Sequence, residues 1–126
     1  MELKNKLDQL LKRVEKPGRY IGGEFNSIVK NGEDVEANFA FAFPDLYEIG
    51  MSYLGLQILY NVLNKKQNIY CQRVFAPAAD MEELMRQENV PLMTLETKTP
   101  IKEMDFVGFT LQYEMSYSTV LNMLEL

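Results

Sequence analysis

The chain has 126 residues, 47% of them hydrophobic, and a formal net charge of −5. It is long enough for one domain with a real core, and its charge argues against a nucleic-acid-binding surface. The absence of histidine and the presence of a single cysteine, Cys71, exclude Ser-His and Cys-His catalysis and an internal disulfide. They also exclude most zinc sites and any cluster held by about four cysteines of this chain.

Leu3, Leu7, Leu10, Leu11 and Val14 recur at helical spacing among lysines and acids. The pattern predicts an amphipathic helix over residues 1–16, ended by Lys16-Pro17-Gly18, packed on its own domain or docked on another. This opening has no apolar h-region, so it is not a signal peptide, and no apolar stretch approaches the roughly 18 residues of a membrane span. A lone cysteine fits a reducing compartment, and a cytoplasmic location is expected.

Residues 19–43 read as a β-hairpin. Phe25 to Lys30 forms a short strand, Asn31-Gly32 supplies a type I′ turn, and Val35 onward returns. The returning strand runs through Phe39, Phe41 and Phe43 with Asn38, Ala40 and Ala42 between them, which suits a sheet covered on both faces. Pro44 ends it. A loop over Asp45–Met51 follows, and Ser52 is placed as the N-cap of a helix with Leu54, Ile58, Leu59, Val62 and Leu63 on its apolar face. Gly55 lies on that face, where a missing side chain would let helix and sheet approach closely. Ile69 to Ala76 is a second strand, ended by Pro77. Asp80 is placed as the cap of a short helix, with Glu83 at the capping-box position and Met81, Leu84 and Met85 inward. Leu92 to Leu95 reads as a short third strand, and Phe106 to Leu111 as the strongest one. Tyr113 to Tyr117 is loop and Ser118 to Leu124 helix.

The fold class is therefore α/β: a Rossmann-like, open, mainly parallel sheet with flanking helices, preceded by a helix and a hairpin. Residues 17–126 form its main domain. Such a sheet normally carries at least one more strand, so the sequence is expected to be the N-terminal part of a longer polypeptide, with an exposed edge or helix through which copies could pair as a homodimer.

No phosphate motif is present: Gly50 and Gly55 do not match G-x-G-x-x-G, and there is no P-loop lysine. Asp45 and Glu48 could hold magnesium or work as acid and base, but carboxylates beside a helix N-terminus more often serve the helix. Thr110, Gln112 and Tyr113 leave the end of an apolar strand, where a ligand meets an open sheet, although ordinary loop solvation explains them equally well. Cys71 and the eight methionines read as core residues.

Five blocks in order, KPGRYIGGEFNSIVK, FAFPDLYEIGMSYLGLQILYNVLN, RVFAPAADMEELM, TLETKTPIKEMD and FVGFTLQYEMSYSTVLNML, resemble the large radical S-adenosylmethionine (radical SAM) proteins that begin with a cobalamin-binding-like domain. The resemblance covers nearly all of the chain from Lys16. It implies a downstream barrel in the same polypeptide, carrying C-x3-C-x2-C, a 4Fe-4S cluster and S-adenosylmethionine, with no catalysis by this segment itself. The cobalamin motif D-x-H-x-x-G is not reproduced: Tyr53 stands where histidine would be, which excludes a histidine axial ligand. Cobalamin held without a protein ligand would lie over Pro44, Asp45, Tyr47, Gly50, Thr110, Gln112 and Tyr113. The resemblance thus implies a domain that holds a corrinoid or covers the barrel's active site. The alternatives are a docking module that has lost the cofactor and a stand-alone small-molecule-binding domain. Neither a nucleic-acid nor a membrane partner is expected.

Overall fold

The computed structural model describes residues 2–24, 27–30, 35–111 and 116–126. Helix α1 (Glu2–Leu11) is followed by a 3-10 turn (Pro17–Arg19), strand β1 (Ala37–Phe43), helices α2 (Tyr47–Met51) and α3 (Leu54–Asn64), and strand β2 (Ile69–Phe75). Helix α4 (Ala79–Glu88), a second 3-10 turn (Ile101–Glu103), strand β3 (Phe106–Phe109) and helix α5 (Ser116–Glu125) complete the order. The strands form one parallel sheet in the order β2-β1-β3, with Ala37 beside Ile69 and Phe39 beside Phe106. This is the expected open α/β architecture.

Alternation along β1 divides the core. Ala40 and Ala42 join Val74 in a layer with Leu7, Leu10 and Val14 of the N-terminal segment, Met81 and Met85 of α4 and Met123 of α5. Phe41 and Phe43 join Cys71 and Phe75 in a second layer under Leu56 and Tyr60 of α3. Small residues face the side that carries three helices, and large ones face the side that carries α3. The N-terminal helix therefore packs on its own domain, although it ends at Leu11 rather than at Lys16. Burial pushes the Cys71 thiol up to about 12, as suits a small core residue.

Several local expectations are corrected. Residues 27–30 are not a strand: the Ile28 N–H donates to the Tyr60 hydroxyl and the Ile28 carbonyl accepts from Tyr70, so side chains take the place of a ladder. The Asn31-Gly32 turn lies outside the described residues. The 45–51 loop contains α2, and Ser52 is its C-cap rather than the cap of α3. Asp80 does not cap α4, whose N-cap is Ala78. Its carboxylate instead accepts from the Glu15 N–H at 2.9 Å and holds the end of the N-terminal segment. That hydrogen bond is the main reason the Asp80 pKa lies below its usual value. The 92–95 strand reduces to one antiparallel bridge, Met93 with Pro100. The strand expected to be strongest is the shortest, stops at Phe109, and lies at the sheet edge with Phe106 exposed. Tyr117 belongs to α5, not to the loop before it.

The largest correction concerns α3. Its buried face is Leu56, Tyr60 and Asn64, with Leu63 half-buried against the same layer as expected, whereas Leu54, Ile58, Leu59 and Val62 are exposed. The helix is turned so that two polar-tipped residues reach buried partners: the Tyr60 hydroxyl donates to Glu96, and the Asn64 amide bonds both backbone groups of Cys71. Nor does Gly55 carry the close approach. A Cβ there would meet only the neighbouring Tyr53 ring, whereas a Cβ on Gly50 would fall 2.0 Å from the Phe75 ring.

Candidate functional site

From β1 the chain crosses to β2 by way of α3 on one face, then returns past β1 to β3 by way of α4 on the other. The direction of travel reverses between β1 and β3. In open α/β sheets that reversal leaves a crevice at the carboxyl ends of the two strands, where ligands bind. The segment after Phe43 and the end of β3 border it. Continuing the register of Ala42 with Phe109 places Thr110 level with Phe43, so the sheet brings Pro44, Asp45 and Thr110 to one end.

Most of the corner after β1 faces inward. Pro44 and Gly50 are buried. The Asp45 carboxylate accepts from the Leu46 N–H at 2.8 Å, while its carbonyl accepts from Ala76 at 2.9 Å and ties the corner to the end of β2. The Tyr47 ring meets Phe75 edge-on with centroids 5.5 Å apart, and its hydroxyl donates to Glu24 at 3.1 Å. Burial raises the Tyr47 pKa, and the Glu24 carboxylate adds to the shift. The Glu48 carboxylate accepts from Arg19 at 2.6 Å, whereas that of Asp45 bonds the Leu46 N–H. The Tyr53 ring lies 5.3 Å from that of Phe43, at the rim. The Thr110 hydroxyl is buried and has no hydrogen-bond partner among the described residues. Gln112 and Tyr113 lie outside the described residues.

Beneath the corner runs a charged network that the spacing of the sequence did not reveal. The Arg73 side chain is wholly buried in β2 and donates to Glu96 at 2.9 Å and to Glu24 at 3.0 Å. Its guanidinium stacks 4.7 Å from the centre of the Tyr60 ring and approaches the Met51 sulfur at 3.3 Å. Burial is the largest single influence and works against the Arg73 charge, but Glu96, Tyr60 and Glu24 together outweigh it and the net shift is upward. Burial, reinforced by Glu96, likewise holds the Tyr60 hydroxyl well above its usual range. The available signal was an arginine inside the apolar run Ile69–Phe75, where an unpaired charge is not tolerated. Beside the corner, Tyr20, Tyr47, Phe75, Leu95 and Lys98 help to line a cavity of about 40 Å³, room for water but not for a macrocycle.

A family model described as radical SAM proteins, N-terminal, matches residues 55–126, more than half of the chain. This chain belongs to that family. The match opens in α3 and takes in β2, α4, β3 and α5, including Arg73, Glu96 and Thr110. The comparisons with curated proteins and with solved structures give no match.

Within this radical SAM N-terminal domain, the residues fit a corrinoid in one respect only. The Thr110 hydroxyl at the strand ends has no hydrogen-bond partner among the described residues, a place that a ligand group reaching it could fill. Asp45, Tyr47 and Gly50 are committed to internal contacts, so a corrinoid would have to lie across the strand ends rather than enter the fold. Among the described residues, no group of three His, Cys, Asp or Glu is placed to hold a metal ion. Among them, too, no helix is long and apolar enough to cross a membrane.

Proposed function

We propose that this domain is a non-catalytic cover that docks on the radical SAM barrel of its own polypeptide. The observation that carries the reading is the outward stripe of α3: Leu54, Ile58, Leu59 and Val62 are 71, 52, 44 and 51% exposed. Ile49 and Tyr53, also exposed, carry the stripe to the corner after β1. Single exposed apolar residues need no explanation, but a continuous stripe beside a strand-end crevice marks an interaction surface. Docking there would bury the stripe and place the crevice against the barrel, whose cluster and S-adenosylmethionine would supply the radical chemistry. The chain's own contribution is shape and exclusion of water.

The test is crosslinking of the native protein by a lysine-reactive reagent, because the exposed Lys65 and Lys66 close the α3 segment. Crosslinks from these lysines to the barrel are expected. The double substitution Ile58→Asp, Val62→Asp should cut their yield at least tenfold, because the docked state would bury two unpaired carboxylates. Both positions are exposed, so circular dichroism should be unchanged. A barrel that never crosslinks to Lys65 or Lys66 would sink the reading.

The unpartnered Thr110 hydroxyl favours a second reading, in which the same crevice holds a corrinoid between domain and barrel without a protein axial ligand. Equilibrium dialysis of the native protein against hydroxocobalamin and its reduced form should then show retention. Thr110→Val should weaken it about three- to tenfold, in line with one lost hydrogen bond. No retention in any redox state ends this reading and leaves the docking reading standing.

A further inference from the structure

The two outer edges of the sheet are finished differently. On β2, the outward backbone groups of three alternate residues are all taken. The Ile69 N–H donates to the Lys66 carbonyl, and the Ile69 carbonyl accepts from the Lys30 ammonium. The Asn64 side chain donates to the Cys71 carbonyl at 2.9 Å and accepts from the Cys71 N–H at 2.8 Å, as a neighbouring strand would. The Arg73 N–H donates to Glu96 at 3.0 Å, and the Arg73 carbonyl accepts from the Leu95 N–H at 3.0 Å. From Ile69 to Arg73 this edge is closed to further pairing. On β3, by contrast, among the described residues β1 is the only strand partner and none bonds the outer edge.

The crossovers settle which edge a further strand would use. The connection from β1 to β2 runs over the α3 face; that from β2 to β3 runs the opposite way over the α4 face, so the two share one hand. Helix α5 lies on the α4 face, where its Met123 joins the core. A parallel strand reached from α5 with that same hand must fall beyond β3; the other hand would bring it to the sealed edge of β2. The sealed edge and the crossover rule are independent, and they agree.

We infer that the outer edge of β3 receives a further parallel strand, supplied by polypeptide that follows α5. Its chemistry is set by what flanks the edge. On the α3 face the exposed Phe106 ring stacks on Phe39 with centroids 6.3 Å apart; on the other face Val107 and Phe109 are half-buried. A strand apolar on both faces fits there, as in the interior of a parallel sheet. The inference does not depend on the docking or corrinoid readings.

Hydrogen exchange of the native polypeptide, at two concentrations tenfold apart, tests it. All four amides of Phe106–Phe109 should be protected to within about tenfold of those in β1, equally at both concentrations. Alternate β3 amides exchanging at the rate of unprotected backbone would overturn the inference. So would protection that rises with concentration, since the edge would then be filled by a second copy of the chain. A native polypeptide that stops at α5 would overturn it too.

Discussion

Glu96→Ala is expected to be the most damaging single substitution outside the apolar core, lowering stability by about 3–5 kcal/mol. Both Glu96 and its partner Arg73 have no exposed side-chain surface. Removing the carboxylate leaves the guanidinium with Glu24 alone as its acidic partner, and leaves the Tyr60 hydroxyl and the Arg73 N–H without their acceptor. None of these groups can turn to water without opening the layer under α3. For a domain whose whole stability is typically about 5–15 kcal/mol, the loss is a large fraction. Urea unfolding followed by circular dichroism measures it; a change under about 1 kcal/mol would show that water replaces the carboxylate.

The same network predicts the sign of a coupling. A buried ion pair is more damaging to break than to replace, because the stranded charge is the larger penalty. Arg73→Met combined with Glu96→Leu should therefore be less destabilised than Glu96→Ala alone. Such a result would say that the network fixes the position of the corner after β1, through Glu24 with Tyr47 and through Met51, more than it adds to stability.

The two long strands β1 and β2 and their parallel sense were legible because their signals are local. Alternation of Phe39, Phe41 and Phe43 with small residues, and the near-continuous apolar run from Ile69, need only neighbours to be read. The rotation of α3 was not legible. Hydrophobicity ranks Ile58 and Val62 above Tyr60 and Asn64, but burial of a polar tip depends on a partner elsewhere in the chain. Tyr60 bonds Glu96 across 36 residues, and Arg73 bonds the same carboxylate across 23, separations at which spacing carries no information. Asp80 failed in a related way: one carboxylate oxygen keeps a local donor, the Met81 N–H, but the other accepts from Glu15, 65 residues away. The mismatch at α3 is itself informative. A sequence that makes an apolar face and then leaves it outward is the footing of the docking proposal. At the site, Pro44, Asp45 and Thr110 reach the strand ends as expected from chain order. The inward commitment of Tyr47 and Gly50 depends on Phe75, which no motif connects to them.

Asn64→Leu is expected to lower stability by about 2–4 kcal/mol, although it places a larger apolar side chain on the buried face of a helix. A hydrophobicity scale would score the change as favourable. The amide, however, gives Cys71 both a donor and an acceptor, and each buried backbone group left unpaired costs about 1–3 kcal/mol. In urea, at the slope of about 1–3 kcal/mol per molar usual for small proteins, the midpoint should fall by roughly 1–2 M with little change in slope. Asn64→Asp keeps the acceptor for the Cys71 N–H but turns a carboxylate oxygen toward the Cys71 carbonyl, so it should be no better than leucine. If Asn64→Leu were neutral, the side chain would merely fill space at the end of α3 and the sealing of β2 would rest on Glu96 and Leu95 alone. A loss of the expected size would mean that the edge is closed by design of the helix terminus. The sheet would then be free to grow in one direction only, past β3.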